Sequence, residues 1–121
     1  MSTIPREQAQ KLSDNLRVAA EATRTFLEER DFGRDWTQKA IGAVQTAAGN
    51  LIRARQIAEA VGADSIVSGV KRFTKELGSL GEASNPALER LLREDVEGFE
   101  LTADSLQYDA NEALFGQSTQ Q

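Results

Sequence analysis

The chain has no cysteine and no histidine, and only two prolines, one tryptophan and one tyrosine among its 121 residues. Without cysteine there can be no disulfide, no thiolate metal site and no thiol nucleophile. Without histidine the commonest general base, the commonest transition-metal ligand and the usual switch near neutral pH are missing. No apolar run reaches the roughly 18 residues that a membrane span needs. The opening stretch, Met1 to Arg6, has none of the charged, apolar and small-residue zones of a signal peptide. The patterns Gly-x-Gly-x-x-Gly, Gly-x-x-x-x-Gly-Lys and Gly-x-Ser-x-Gly are also absent, so neither a phosphate cradle nor a nucleophile elbow is encoded. The expectation is a cytoplasmic, non-enzymatic protein with no catalytic residue, no cofactor and no metal.

What is present is charge, and it is unevenly placed. From Asn85 to Phe115 eight acidic residues stand against Arg90 and Arg93, a balance of −6, while the rest of the chain sums to +1. A helix with one dominant sign either meets a basic partner or pairs with the chain's own Lys and Arg. The overall acidity disfavours non-specific binding to nucleic acid or to an anionic membrane.

The apolar residues follow a helical period throughout. Ala9, Leu12, Leu16, Ala19, Thr23 and Phe26 step by three and four, predicting helix 1 over Ile4 to Asp31 with Gly33 as its stop. Asp35 with Gln38 has the spacing of a capping box for helix 2, which would extend to Val61 and end at Gly62. Two apolar arcs adjoin on it. One is Ile41, Val44, Ala48, Leu51 and Ile52; the other is Trp36, Ala40, Ala43, Ala47, Ala54 and Ala58. So wide an arc makes helix 2 the candidate for the most buried element.

Asp64 would cap helix 3, with Ile66, Val70, Phe73, Leu77 and Leu80 as its stripe, and residues 78–85 read as a loop. Asn85 and Pro86 open helix 4, whose stripe is Leu92, Val96, Phe99, Ala103, Leu106, Ala110 and Ala113, with Gly116 closing it. No period-two run suggests a strand. The sequence predicts an all-α, antiparallel up-down four-helix bundle with a short third helix, one domain over residues 1–116 and a disordered polar tail over 117–121. A short helix 3 would leave part of the core uncovered as an apolar groove.

Several clusters bear on function. Glu28, Glu29, Asp31 and Asp35, and again Glu94, Asp95, Glu97, Glu100 and Asp104, gather oxygen ligands without the spacing of a calcium loop, and read as solvated surface charge. Gly42 and Gly49, seven apart on one helical face, hint at a close neighbour or an oligomer contact. Arg55 interrupts the apolar arc of helix 2 and needs either a route to solvent or a partner such as Glu100 or Asp104.

The segment Gln56 to Phe73 resembles a DNA-binding helix-turn-helix. Ala58 and Gly62 fall at that motif's small residue and turn glycine, although Val67 and Val70 stand one position early. The resemblance implies a regulator in which Ser65, Ser68, Lys71, Arg72 and Lys75 face the DNA groove and phosphates. Tyr108 to Glu112 resembles the Tyr-x-x-x-Asp/Glu export signal of small helical substrates of type VII secretion. Those substrates are two-helix hairpins with a Trp-x-Gly turn, and Trp36 here lacks that glycine.

The main expectation is a protein–protein interaction module: an adaptor, an inhibitor or an assembly subunit. A partner, basic in character, would dock on helix 4, steered by Glu94, Glu97, Glu100 and Asp104 and anchored by Leu91 and Tyr108. Self-association into a homo-oligomer is the other form such a surface takes.

Overall fold

A computed structural model describes the backbone of residues 4–31, 37–82 and 86–119, and the side chains of residues 4–30, 37–80 and 86–108. Four helices follow one another: α1 (Arg6–Asp31), α2 (Gln38–Ala60), α3 (Asp64–Glu82) and α4 (Pro86–Thr119). They pack as an antiparallel bundle. α1 lies against α2 and α4, and α3 lies more sparsely against the same two helices. No helix among the described residues is long and apolar enough to cross a membrane.

The expected stripe of α1 is the centre of the core. Ala9, Leu12, Leu16, Ala19, Thr23 and Phe26 are all buried, joined by Ser13, Ala20 and Leu27. α1, and not α2, is therefore the most enclosed element, because it contacts two long helices along broad faces. α2 contributes one alanine-rich flank: Ala40, Ala43, Ala47, Ala54 and Ala58, with Leu51, are buried. Ile41 and Ile52 of the adjoining arc are 40% and 57% exposed. α2 thus brings mainly small side chains to the core, Leu51 excepted.

Polar groups also fix α1 in place. Ser13 Oγ, fully buried, donates to the Ala103 carbonyl of α4 at 2.7 Å, and Thr23 Oγ1 donates back to the Ala19 carbonyl at 2.8 Å. Neither hydroxyl is left without an acceptor, as burial requires.

The helix boundaries depart from the sequence expectation in three places. α2 is capped by Thr37, whose hydroxyl accepts from the Ala40 N–H at 3.1 Å; Asp35 and Gly33 lie outside the described residues. α3 does not stop at Leu77 but runs to Glu82. Leu77 and Leu80 are both buried on its inner face, and that packing outweighs the helix cost of Gly78, about 1 kcal/mol. α4 passes Gly116 and continues to Thr119. With 19 residues against 34, α3 remains the shortest helix, about 28 Å against about 51 Å.

The α2–α3 turn matches its sequence signal. Gly62 sits at φ +73°, its N–H donates to the Glu59 carbonyl at 3.3 Å, and the Ala63 N–H donates to the Ala58 carbonyl at 2.9 Å. This is a Schellman closure, and the left-handed residue in it is the one that favours glycine. Gly42 and Gly49 are different. A Cβ at either would meet nothing within 4 Å, so among the described residues no neighbouring helix approaches there. Gly62→Ala is expected to lower unfolding stability by about 1 kcal/mol, whereas Gly49→Ala should raise it by about 0.5 to 1 kcal/mol. Urea unfolding of the two variants beside the parent checks both signs.

Candidate functional site

The surface of α4 divides into three strips by its 100° rotation per residue. The inner strip is Leu92, Val96, Phe99, Ala103 and Leu106, all buried as expected. On the side towards α1 stand Glu89, Glu100 and Asp104. On the side towards α3 stand Asp95 and Thr102. The outward strip is Leu91, Glu94, Gly98, Leu101, Ser105 and Tyr108, spaced three and four residues apart and exposed at every position.

The edge facing α1 is occupied by the chain itself. Arg17 bonds Asp104 at 2.8 Å, Arg24 bonds Glu100, and Arg30 bonds Glu89 at 3.2 Å. Read along the antiparallel pair, ascending arginines of α1 meet descending carboxylates of α4. The hydrogen bond to Glu100 holds the Arg24 guanidinium more firmly protonated than usual, against the opposing pull of burial, and the charges of Glu100 and Glu97 add to it. Arg30 is the enclosed member of the row, its side chain 6% exposed and lying 5.5 Å from the centre of the Phe26 ring.

This changes the reading of the acidic residues. Glu100 and Asp104 are engaged by α1 and do not lie on one face with Leu91 and Glu94. Leu91, Glu94 and Tyr108 share the outward strip, and Glu97 lies between that strip and the α1 edge. Arg55 makes neither expected interhelical pair: its Nε bonds Glu59 Oε1 at 2.7 Å one turn along α2. Among the described residues α2 and α4 occupy opposite corners of the bundle and do not touch. Glu29 is also not a solvated acid. It is 4% exposed and lies 3.5 Å from Lys39 Nζ of α2, tying the two helices.

Sequence reasoning passed over Leu101, Gly98 and Ser105. Leu101 is 70% exposed, beside Tyr108 at 64% and Leu91 at 48%. The signal for them was the second three-and-four period on α4, running parallel to the core stripe and easily taken for background beside so many charges.

A shallow groove of about 460 Å³ runs between α3 and α4 along this strip. Its walls stay low because Ser65, Gly69, Gly98, Thr102 and Ser105 line it, and Phe99 lies in its floor. Phe99 meets Phe73 of α3 edge-to-face, with centroids 4.8 Å apart. Arg72 and Asp95 close one part of the groove, bonded at 3.3 Å.

The residues of the helix-turn-helix reading, Ser65, Ser68, Lys71, Arg72 and Lys75, do share the outer side of α3, and Ser68, Lys71 and Lys75 are exposed there. Arg72, however, is turned to Asp95 and Glu76. Glu94 and Asp95 beside it set negative charge where a phosphate would approach. Glu112 of the export-signal reading lies outside the described side chains. Among the described residues no three carboxylates converge on one point that could hold an ion.

The row of arginines yields a graded expectation. Arg30→Ala should cost about 3 kcal/mol, since it takes this partner from Glu89, whose side chain is only 23% exposed. Arg17→Ala, on an exposed pair, should cost under about 1 kcal/mol and lose even that in high salt. Paired urea titrations at low and high salt check the ranking. Comparison with protein families, with curated proteins and with solved structures finds no match to this chain.

Proposed function

We propose that this protein is a non-catalytic protein–protein interaction module, and that its docking surface is the outward strip of α4 with the groove beside it. The observation that carries the reading is the exposed series Leu91, Glu94, Gly98, Leu101, Ser105 and Tyr108, a helical seam left open among the described residues. Leu91, Leu101 and Tyr108 alternate with Gly98 and Ser105, so the side chains of a second helix could seat in the gaps between the large residues. Single exposed leucines are ordinary; three large apolar groups on one helical strip are less so.

Charge selects the partner. Glu94 and Glu97 are exposed, and Glu97 also acts on Arg24 across the α1 edge. A second copy of α4 would bring its own excess of carboxylates against them, whereas a basic amphipathic helix would neutralise them. The partner class is therefore a Lys- or Arg-rich helix with apolar residues at three-and-four spacing, and electrostatics would act mainly on the association rate. The reading carries with it a cytoplasmic adaptor, inhibitor or assembly role.

The test uses a synthetic basic amphipathic helix and the full chain. Amide shifts on titration should map to Leu91–Tyr108 and the facing side of α3. Leu101→Asp combined with Tyr108→Asp should weaken binding at least about tenfold, or about 1.4 kcal/mol, without altering the unfolding midpoint. Glu94→Gln with Glu97→Gln should slow association and flatten its salt dependence. Absence of binding, shifts elsewhere on the bundle, or a concentration-dependent dimer in place of a complex would each reject the reading.

A further inference from the structure

α3 is the least embedded helix, and among the described residues a polar cluster of Arg72, Glu76 and Asp95 joins it to α4. Arg72 Nη2 lies 3.3 Å from Asp95 Oδ1, and Arg72 Nε lies 3.9 Å from Glu76 Oε1. The exposures run opposite to what solvation would favour. The carboxylates of Glu76 and Asp95 are 15% and 18% exposed, while Arg72 is 65% exposed. Two acids are thus held inside, and the guanidinium that bridges them stands outside. Glu76 Oε2 and Asp95 Oδ2 are buried with no hydrogen-bond partner.

One proton would resolve this arrangement. A protonated carboxyl carries an O–H that donates to the neighbouring carboxylate, and it removes one of the two like charges. Among the described residues the charged groups facing Glu76 are Arg72 from its own helix and Asp95 from α4. α2, the other helix against α3, presents Val44, Ala48 and Leu51 to Thr74, Leu77 and Gly78.

We propose that Glu76 and Asp95 form a proton-operated clasp between α3 and α4: one shared proton draws the helices together, and its loss sets two carboxylates against each other and loosens α3. Asp95 and Arg72 also line the groove between these helices, so the clasp governs the width of that groove. This holds whether or not a partner occupies α4.

The sign follows from linkage. Burial, then the hydrogen bond and the charge of Asp95, push the Glu76 carboxyl up to about 7, with Arg72 opposing. In the unfolded chain a glutamate titrates near its ordinary value, about 4.3. A group whose folded pKa is raised gives its full stabilisation below the unfolded value and loses it as pH rises through the folded one. The window is therefore from about 4.3 to about 7.

The experiment follows the amide hydrogen exchange of α3 in the full chain, corrected for the intrinsic rate, between about pH 5 and about pH 8. In the parent, opening of α3 should become at least about tenfold more frequent across that range. Glu76→Gln, which keeps a donor towards Asp95 without the charge, should abolish the dependence and remain protected at the higher pH. Carbon NMR of the parent's Glu76 carboxyl, which requires no variant, should place its midpoint well above those of the exposed glutamates. A Glu76 that titrates with the exposed glutamates, or a Glu76→Gln chain that keeps the parent's pH dependence, would overturn the clasp.

Discussion

Repulsion along α4 is the constraint to which the rest of the bundle answers. Eight carboxylates on one segment raise its self-energy, and a helix so charged would lie poorly against an apolar core without compensation. α1 supplies that compensation. Arg17, Arg24 and Arg30 stand along the same side as Ser13, so the helix that fills the core also neutralises the edge of its neighbour. The pairs differ in worth: two are open to water and weak, and the enclosed one at Arg30 is stacked against Phe26.

With α1 committed to α4 on one side and to the alanine-rich flank of α2 on the other, α3 is left with the remaining corner. It closes the bundle through Val70, Phe73, Leu77 and Leu80, with the short residues of the groove making little contact beyond them. Two regimes therefore coexist in one domain. The α1, α2 and α4 contacts are close and densely buried, and the α3 contacts are sparse and partly polar. Elements of the second kind open at lower free energy than the domain as a whole unfolds.

Much of this architecture was legible in the sequence because burial follows period. Every residue of the α1 stripe and the described part of the α4 stripe was placed by spacing alone. The misplaced boundaries share one cause: local punctuation was weighed without the packing that overrides it. Gly78 and Gly81 resembled a loop, yet Leu77 and Leu80 hold the helix in place. Asp35 and Thr37 are both sound capping residues two positions apart, and spacing to Gln38 favoured the wrong one. Charge partners were less legible still. Whether Glu100 meets Arg24 or Arg55 depends on which helices are adjacent and which are diagonal, and no window of local sequence holds that information. The same holds for Glu29, which pairs with Lys39 from the next helix.

The alanine-rich flank of α2 has a consequence for how this protein can change over generations. Where fully buried alanines face a packed core, enlargement finds no room, and overpacking of that kind costs about 1 to 3 kcal/mol per site. Substitutions at Ala47, Ala54 or Ala58 would therefore be purged for stability alone. The outer ridge of α4 shares no atoms with that flank and stays free to drift. Lineages of this bundle would be expected to keep an invariant spine while exchanging the ridge residues, so that new recognition properties arise on an unchanged frame.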